Sequence, residues 1–453
     1  LRPRLFAEYL SVRAKICDWL DFDSILKEYQ QDLQSGAKLS APFAPLALFD
    51  NPSLHQKIAT KHAQEKYPAQ VVRPRSTVIA SASKVKIGYF SADFYSHATA
   101  YLMAQLFESH DRERFEIHGF SFGQKHADHM AKRLASAFDY LHDVHEISDD
   151  EVASLSASIG IDIAVDLKGF TKDCRTGIFA RRCAPIQVNY LGYPGTMGCE
   201  YIDYIIADPI VIPPESQQFY TEKVVYLPNS YQVNDSKRKI SDRIFTRQEL
   251  GLPEIGFVFC CFNNNYKILP EVFDLWMQIL KSVNGSVLWL LEDNATAAIN
   301  LRKEAQARGV NSSRIIFAQR MPLPEHLARH RLADLFLDTF PCNAHTTASD
   351  ALWAGLPVLT RAGQSFASRV AASLLTAVGL PELITTTEEN YVAKAIELAR
   401  NPPELDVLTE RLATNRLTMP LFDGKLFARN LERAYEAMIQ QYLEGKEPSS
   451  ITI

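Results

Sequence analysis

Residues 333–357 read ADLFLDTFPCNAHTTASDALWAGLP. Leu335, Phe336 and Leu337 form a short, wholly apolar run of the kind carried by a strand buried on both faces. Pro341 to His345 then makes a tight loop, and a helix is expected to start near Thr347. A helix that begins beyond the carboxyl end of a strand turns unpaired backbone N–H groups and its positive dipole end outward, which makes an anion site. Thr346 and Thr347 add hydroxyl donors, and Asp350 falls in the first turn. The same residues allow a second reading: Thr347 and Asp350 have capping-box spacing, which would satisfy the helix end and leave nothing to bind.

Working outward, strand-like and helix-like segments alternate on both sides of this stretch. From Gly256 the order is strand FVFCCF, helix EVFDLWMQILKSV, strand VLWLLE, helix AINLRKEAQARG, strand IIFAQR, helix PEHLARHRLA, strand DLFLDTF, the opening helix and strand PVLT. An earlier series starts at Lys84 with strand VKIGYFSADF, helix HATAYLMAQLFESH, strand FEIHGFSFG, helix HADHMAKRLASAF, short strand DVHEIS, helix DEVASLSASIG and strand IDIAVDLKG. Alternation with near-continuous apolar strands is the pattern of a doubly wound parallel sheet, so the fold class is α/β with two Rossmann-like domains.

Residues 1 to about 70 differ, with Leu10, Ile16, Trp19, Leu20, Ile25, Tyr29 and Leu33 at helical spacing, and predict an all-α segment. No 34-residue self-similarity is present there. The polar residues 73–84 read as a linker. The expected division is 1–75 helical, 84–245 first Rossmann-like domain, 246–424 second, and 425–445 a closing helix. That helix carries Phe427, Leu431, Tyr435, Met438 and Tyr442 on one stripe, for packing on a domain face.

Composition narrows the function classes. The 453 residues are 47% hydrophobic and 22% charged, with a formal charge of −5, which gives no nucleic-acid or membrane signature. Phosphate binding must therefore be local. Seven cysteines without a C-x-x-C pair read as reduced thiols, and with no apolar run long enough to span a bilayer and no signal-peptide core the expected compartment is the cytoplasm.

Ligands of open parallel sheets bind beyond the strands' carboxyl ends. In the second series those positions hold Asn263, Asn264, Asn265, Tyr266 and Lys267, then Gln319 and Arg320 with His326 and Arg329, then His345, then Gly363, Gln364 and Ser365 with Arg369. In the first they hold Ser91, Ala92 and Asp93 with His97, Lys168 and Gly169, and the turn from Leu191 through Gly192 to Thr196. Lys267 lies ahead of Pro270, a proline suited to the first turn of a helix, so its ammonium falls beside a helix N-terminus and suits a diphosphate; a solvated loop lysine is the plain alternative. His326 and Arg329 share a helix face, in a ligand site or on an exposed basic surface. The pairs His126/His129 and His142/His145 lack a third ligand at metal-site spacing, so no metal is expected. G-x-G-x-x-G after a first strand, G-x-x-x-x-G-K-[ST] and G-x-S-x-G are absent, which disfavours dinucleotide oxidoreductase, P-loop and α/β-hydrolase readings.

The set SADFYSHATAYLM, DLKGFTKDCRTGIFARRCAPIQVNYLGYPGT, FNNNYKI, SVLWLLE, RIIFAQR, EHLARHRLADLFLDTFPCNAHTTASDALWAGLPVLT and GQSFASRVAASLL resembles the catalytic region of the protein O-linked N-acetylglucosamine transferases, with their SPINDLY-type relatives, over residues 84–443. The resemblance implies the GT-B architecture, two Rossmann-like domains facing a cleft, preceded by tetratricopeptide repeats whose end residues 1–70 would form. It implies an inverting, metal-independent glycosyltransferase that needs no cofactor and moves a sugar, most simply N-acetylglucosamine, from a UDP-sugar to Ser or Thr of a protein or peptide. Another hexose, a fucosyl donor, an Asn acceptor or a degenerate scaffold are the alternatives. By the same resemblance Lys267 contacts the diphosphate with Asn264 nearby, His326 and Arg329 flank the uracil, and His345, Thr346 and Thr347 bind phosphate. Asp350 takes the ribose, while His97 and the Leu191, Gly192 turn line the sugar and acceptor side. Tyr140 takes the place of a histidine once proposed as the base, so Lys267, His97 and Tyr140 form the expected catalytic set, with no general base assigned among them. The acceptor is expected near His97, Tyr101 and Tyr140, with the N-terminal helices offering a protein-contact surface and neither nucleic acid nor membrane as partner. The junction at residues 231–252 is short where animal members carry a long insertion.

Overall fold

The computed structural model describes residues 2–35, 41–70 and 84–453. The expected linker at 73–84 lies outside the described residues apart from Lys84. Among the described residues the first elements are the helices α1 (Arg2–Ile16), α2 (Phe22–Ser35), α3 (Phe43–Leu48) and α4 (Pro52–Lys66). The first alternating series follows as β1 (Val85–Ser91), α5 (Ala98–Ser109), β2 (Phe115–Ser121), α6 (His129–Ala137), β3 (Tyr140–Asp143), α7 (Asp149–Ile159), β4 (Ile163–Asp166), α8 (Gly177–Ala180), β5 (Ile186–Asn189), β6 (Tyr204–Ala207) and β7 (Lys223–Tyr226). The second runs β8 (Val258–Cys261), α9 (Pro270–Ser282), β9 (Val287–Leu291), α10 (Ala295–Ala307), β10 (Ile315–Ala318), α11 (Leu323–Arg329), β11 (Leu335–Leu337), α12 (Thr346–Ala354), β12 (Val358–Arg361), α13 (Val370–Ala377), β13 (Ile384–Thr385), α14 (Glu388–Arg400) and α15 (Pro402–Thr418). Last come α16 (Gly424–Leu443) and β14 (Ile451–Thr452).

Among the described residues the strands form two all-parallel sheets, ordered β14-β7-β6-β5-β4-β1-β2-β3 and β10-β9-β8-β11-β12-β13. The direction of strand addition reverses between β1 and β4 in the first sheet and between β8 and β11 in the second, which puts the topological switch points there. Central strands such as β4, β5, β8 and β11 are buried along their whole length, and each apolar side chain buried there contributes about 1.5–3 kcal/mol.

One strand falls elsewhere than expected. DVHEIS is loop after Asp143; the pairing edge strand is YLHD, in register with residues 118–121 of β2. Within DVHEIS only Val144 is buried, and Ser148 is already the N-cap of α7, closed with Glu151 as a capping box.

The chain divides by compactness into two units, drawn differently from the sequence segments. One contains α1 and α2, Ala44–Asn51 and Arg238–Met419; the other contains Ala41–Phe43, Pro52–Lys237 and Pro420–Ile453. The N-terminal helices thus belong to the two units instead of standing apart. In the first unit Trp19 meets Phe273 at 5.2 Å, and Asn294, the N-cap of α10, and Asn300 within that helix donate to the terminal carbonyls of α1 at Lys15 (2.9 Å) and Ile16 (2.8 Å). In the second, Tyr201 donates to the Tyr67 carbonyl at 3.0 Å, and α16 buries Leu431, Tyr435 and Met438 on the expected stripe. No described helix is long and apolar enough to cross a membrane.

Candidate functional site

The second sheet's switch point is built from the loops after β8 and β11. Asp338, fully buried just beyond β11, closes the latter: its Oδ1 accepts from the backbone of Thr339 (2.8 Å) and Ala344 (2.6 Å), and its Oδ2 from the Thr360 hydroxyl (2.6 Å). Burial pushes its carboxyl up to about 7, against the pull of those hydrogen bonds and of Lys267. Asn343 Nδ2 donates to the Thr339 carbonyl at 2.9 Å, and Thr339 Oγ1 to the Cys342 carbonyl at 2.7 Å, so the loop is held by its own hydrogen bonds.

No side chain caps α12, whose N-cap is His345. The capping-box reading therefore fails. Thr347 donates its hydroxyl to Asn263 Oδ1, and Asp350 lies beyond the first turn, paired with Arg238, which also donates to Ser349 Oγ at 3.1 Å. The helix end keeps its anion-binding character.

Lys267 follows β8 in a tight turn in which its N–H reaches the Asn264 carbonyl at 3.0 Å. Its Nζ is buried and donates to the Asn343 carbonyl at 2.5 Å, which excludes the solvated-lysine reading and places the ammonium on the α12 loop. Burial alone would lower its pKa, but the electronegative Cys342, Tyr266 and Asp338 outweigh burial, so the value is raised and the charge kept. His345 is held far below the usual histidine range, first by burial and then by the Lys267 charge; its Nε2 donates to the Ala367 carbonyl at 3.3 Å.

His326 is half-buried with its Nδ1 accepting from Arg329 at 2.5 Å, and burial with the neighbouring cations keeps it neutral. Arg329 is wholly buried, stacked at 4.6 Å on Phe262 and donating to the Gln319 carbonyl. It is therefore the support of His326, not an exposed ligand group. Asn264 is exposed, whereas the neighbouring Asn263 is buried and bridges Thr339 (2.8 Å) to Thr347. Asp338, Asn343 and Arg238 are the residues sequence reasoning passed over; Asp338 and Asn343 were signalled by their place beyond β11, Arg238 by nothing local. Asn263 was named only together with its two neighbours, because burial of one Asn among three is not readable from composition.

The other sheet's switch point gathers a second group. Lys168, after β4, donates to Asp93 Oδ2 at 2.6 Å, both buried, and His97 Nδ1 lies 3.5 Å from the same carboxylate. His97 caps α5, its Nδ1 accepting from Thr99 N at 3.3 Å, which leaves the proton on Nε2. Burial lowers its pKa, with Lys168 adding to that and Asp93 opposing it, so the ring is neutral at neutral pH. Leu191 takes a positive φ of 67°, and any side chain at Gly192 would run into the Leu167 carbonyl, so the turn after β5 needs glycine. Buried Glu222 fastens that turn through Thr196 and the Met197 N–H, each at 2.6 Å.

Tyr140 does not join this group. It begins edge strand β3, more than half exposed, with its ring stacked on His118 at 5.0 Å, whereas His97 follows the carboxyl end of β1. It is withdrawn from the catalytic set. His142 hydrogen bonds to His118 at 3.0 Å and His126 stacks on Tyr95 at 3.8 Å; among the described residues no three His, Cys, Asp or Glu side chains gather as metal ligands.

Residues 16–245 and 238–431 match the model of Glycosyl transferase family 41. A probable UDP-N-acetylglucosamine–peptide N-acetylglucosaminyltransferase, SEC of Arabidopsis thaliana, is 37% identical over 97% of this chain and 47% of its own length. The UDP-N-acetylglucosamine–peptide N-acetylglucosaminyltransferase of Caenorhabditis elegans is 28% identical over 96% of this chain and 49% of its own. The chain thus spans about half the length of these curated relatives. Among solved structures, a mutant of the Thermobaculum terrenum O-GlcNAc transferase superposes with a TM-score of 0.83 at 28% identity, over 97% of this chain and 85% of that one.

Proposed function

The chain belongs to glycosyl transferase family 41, and from that premise we propose that it is an inverting glycosyltransferase that moves N-acetylglucosamine from UDP-N-acetylglucosamine to Ser or Thr of protein acceptors without a metal ion or other cofactor. The observation that carries the reading is the buried Lys267 ammonium anchored on the loop that leads into the uncapped end of α12. As the bond from the anomeric carbon to the diphosphate breaks, negative charge grows on the leaving oxygen. A fixed ammonium and converging N–H groups stabilise that charge without reorganising, and such preorganised donors are worth about 3–4 kcal/mol each. They occupy the role a divalent cation fills elsewhere.

In this reading Thr346, Thr347 and His345 complete the phosphate site, Asp350 accepts from the ribose through the oxygen that Arg238 leaves, and His326, steadied by Arg329, borders the base. His97 and the turn at Leu191 and Gly192 serve the sugar and acceptor, with the His97 Nε2–H as donor. Protein partners reach the N-terminal helices. The support is the agreement of two independent placements, one at each sheet's switch point, with the names of the relatives.

The test is to incubate the protein with a panel of UDP- and GDP-sugars in EDTA, following sugar-nucleotide hydrolysis and the mass of protein acceptors. UDP-N-acetylglucosamine should be consumed and acceptors should gain its mass on Ser or Thr. Preferential use of a GDP-sugar, modification of Asn, or loss of UDP binding in EDTA overturns the corresponding part of the reading.

A further inference from the structure

Asp50 lies between α3 and α4, far in sequence from the sheet it serves. Its Oδ1 accepts from the Ser365 N–H (2.7 Å) and the Ser368 hydroxyl (2.8 Å), and its Oδ2 from the Gln364 N–H (2.8 Å). A side chain at Gly363 would run into this carboxylate, so the loop after β12 is shaped to admit it. Arg369 secures the same loop from within, donating to the Gly363 carbonyl at 2.7 Å.

The loop then passes its position on. The carbonyl of Ala367 accepts from the Asn343 N–H at 2.9 Å and from His345 Nε2, and the Asn343 carbonyl is the one that holds Lys267 Nζ. Hydrogen bonds joined by short stretches of backbone therefore connect Asp50, through residues 364–368, to Asn343, His345 and Lys267. From this geometry we infer that Asp50 is a positioning residue for the donor's diphosphate: it fixes the loop that aims Lys267 and His345. The inference rests on the reading of Lys267 and α12 as the diphosphate site.

Because the series ends on the groups that face the diphosphate, losing Asp50 weakens recognition of the diphosphate and leaves the nucleoside alone. The test is calorimetric titration of UDP, with uridine measured by displacement, on the full chain and on the Asp50→Asn, Asp50→Ala, Ser368→Ala and Lys267→Ala variants. Asp50→Ala should weaken UDP about tenfold, the range reached by residues acting through an intervening contact network, and leave uridine unchanged. Asp50→Asn and Ser368→Ala should each show a smaller loss, and they carry the test if Asp50→Ala does not fold. Combined with Lys267→Ala, the Asp50 loss should largely disappear, since both act on one contact. UDP affinity equal to wild type, equal weakening of UDP and uridine, or fully additive losses overturn the inference. If Lys267→Ala itself leaves UDP binding intact, it is the diphosphate reading that fails.

Discussion

Lys267 has two tasks at the residue level: to stay charged while buried, and to hold one position. The Asn343 carbonyl fixes the position, and the electronegative surroundings keep the charge. Lys267→Ala should lower turnover by about 10²–10³. Near wild-type turnover, measured at saturating donor, would remove it from the leaving-group role. Asp338 sets a pH dependence whose sign follows from its carboxyl being raised to about 7. The protonated form is favoured in the folded state, so this contribution to stability is full below the ordinary carboxyl value near ~4 and is lost as pH rises through 7. Asp338→Asn, which does not ionise, should therefore gain on wild type by a few kcal/mol between about pH 4 and 8. Melting curves of the two that run parallel across that range would show the carboxyl to be ionised throughout. Two residues away from Lys267, Asn265 is buried with neither amide atom paired. Asn265→Leu should raise the unfolding free energy by about 1–3 kcal/mol, and a lowered melting temperature would refute that.

Legibility changes at the element scale. Strand β11 could be placed from three letters because Leu335, Phe336 and Leu337 are buried on both faces, and a continuous apolar run records that environment. Strand β3 could not, because its edge position leaves Tyr140 and Leu141 exposed, and pairing with β2 through the backbone leaves no side-chain pattern to read. Its neighbour Val144 supplied the apolar letter that drew the expectation three residues downstream. The stripe on α16 was legible, but what fastens it was not. Tyr435 meets Tyr89 at 3.1 Å, Tyr89 meets His110 Nε2 at 2.8 Å, and His110 Nδ1 donates to Glu432 at 2.9 Å, with the Asp111 N–H on the same oxygen at 2.8 Å. Burial lowers the His110 pKa, so this is a chain of neutral donors ending on one carboxylate. Glu432→Ala strands the buried His110 donor and the half-buried Asp111 N–H and should lower the unfolding free energy by about 1–3 kcal/mol. Unaltered stability on chemical denaturation would mean that the apolar stripe alone holds α16.

At the scale of the whole molecule, the sequence segments the chain by pattern, whereas folding segments it by contact. Helical spacing sets residues 1–70 apart from the strands that follow, so they read as a separate preface. In the fold, α1 and α2 pack with the second sheet's unit, where the Cys17 thiol approaches the Asn265 carbonyl at 3.8 Å and Asp50 clamps residues 364–368. Such pairings join residues 248 and 315 positions apart, and no local periodicity encodes them. On the proposed function, these contacts couple the preface to occupancy of the donor site. A ligand that binds only the folded form raises the cost of every opening that breaks its site, by about 2.7 kcal/mol at a hundredfold excess over the dissociation constant. Saturating UDP should therefore slow hydrogen exchange at residues 263–267, 339–349 and 363–369, and also at residues 14–19 and 44–51. Protection confined to residues 238–419 would show that the preface opens without disturbing the donor site, and would separate the two parts that the contacts join.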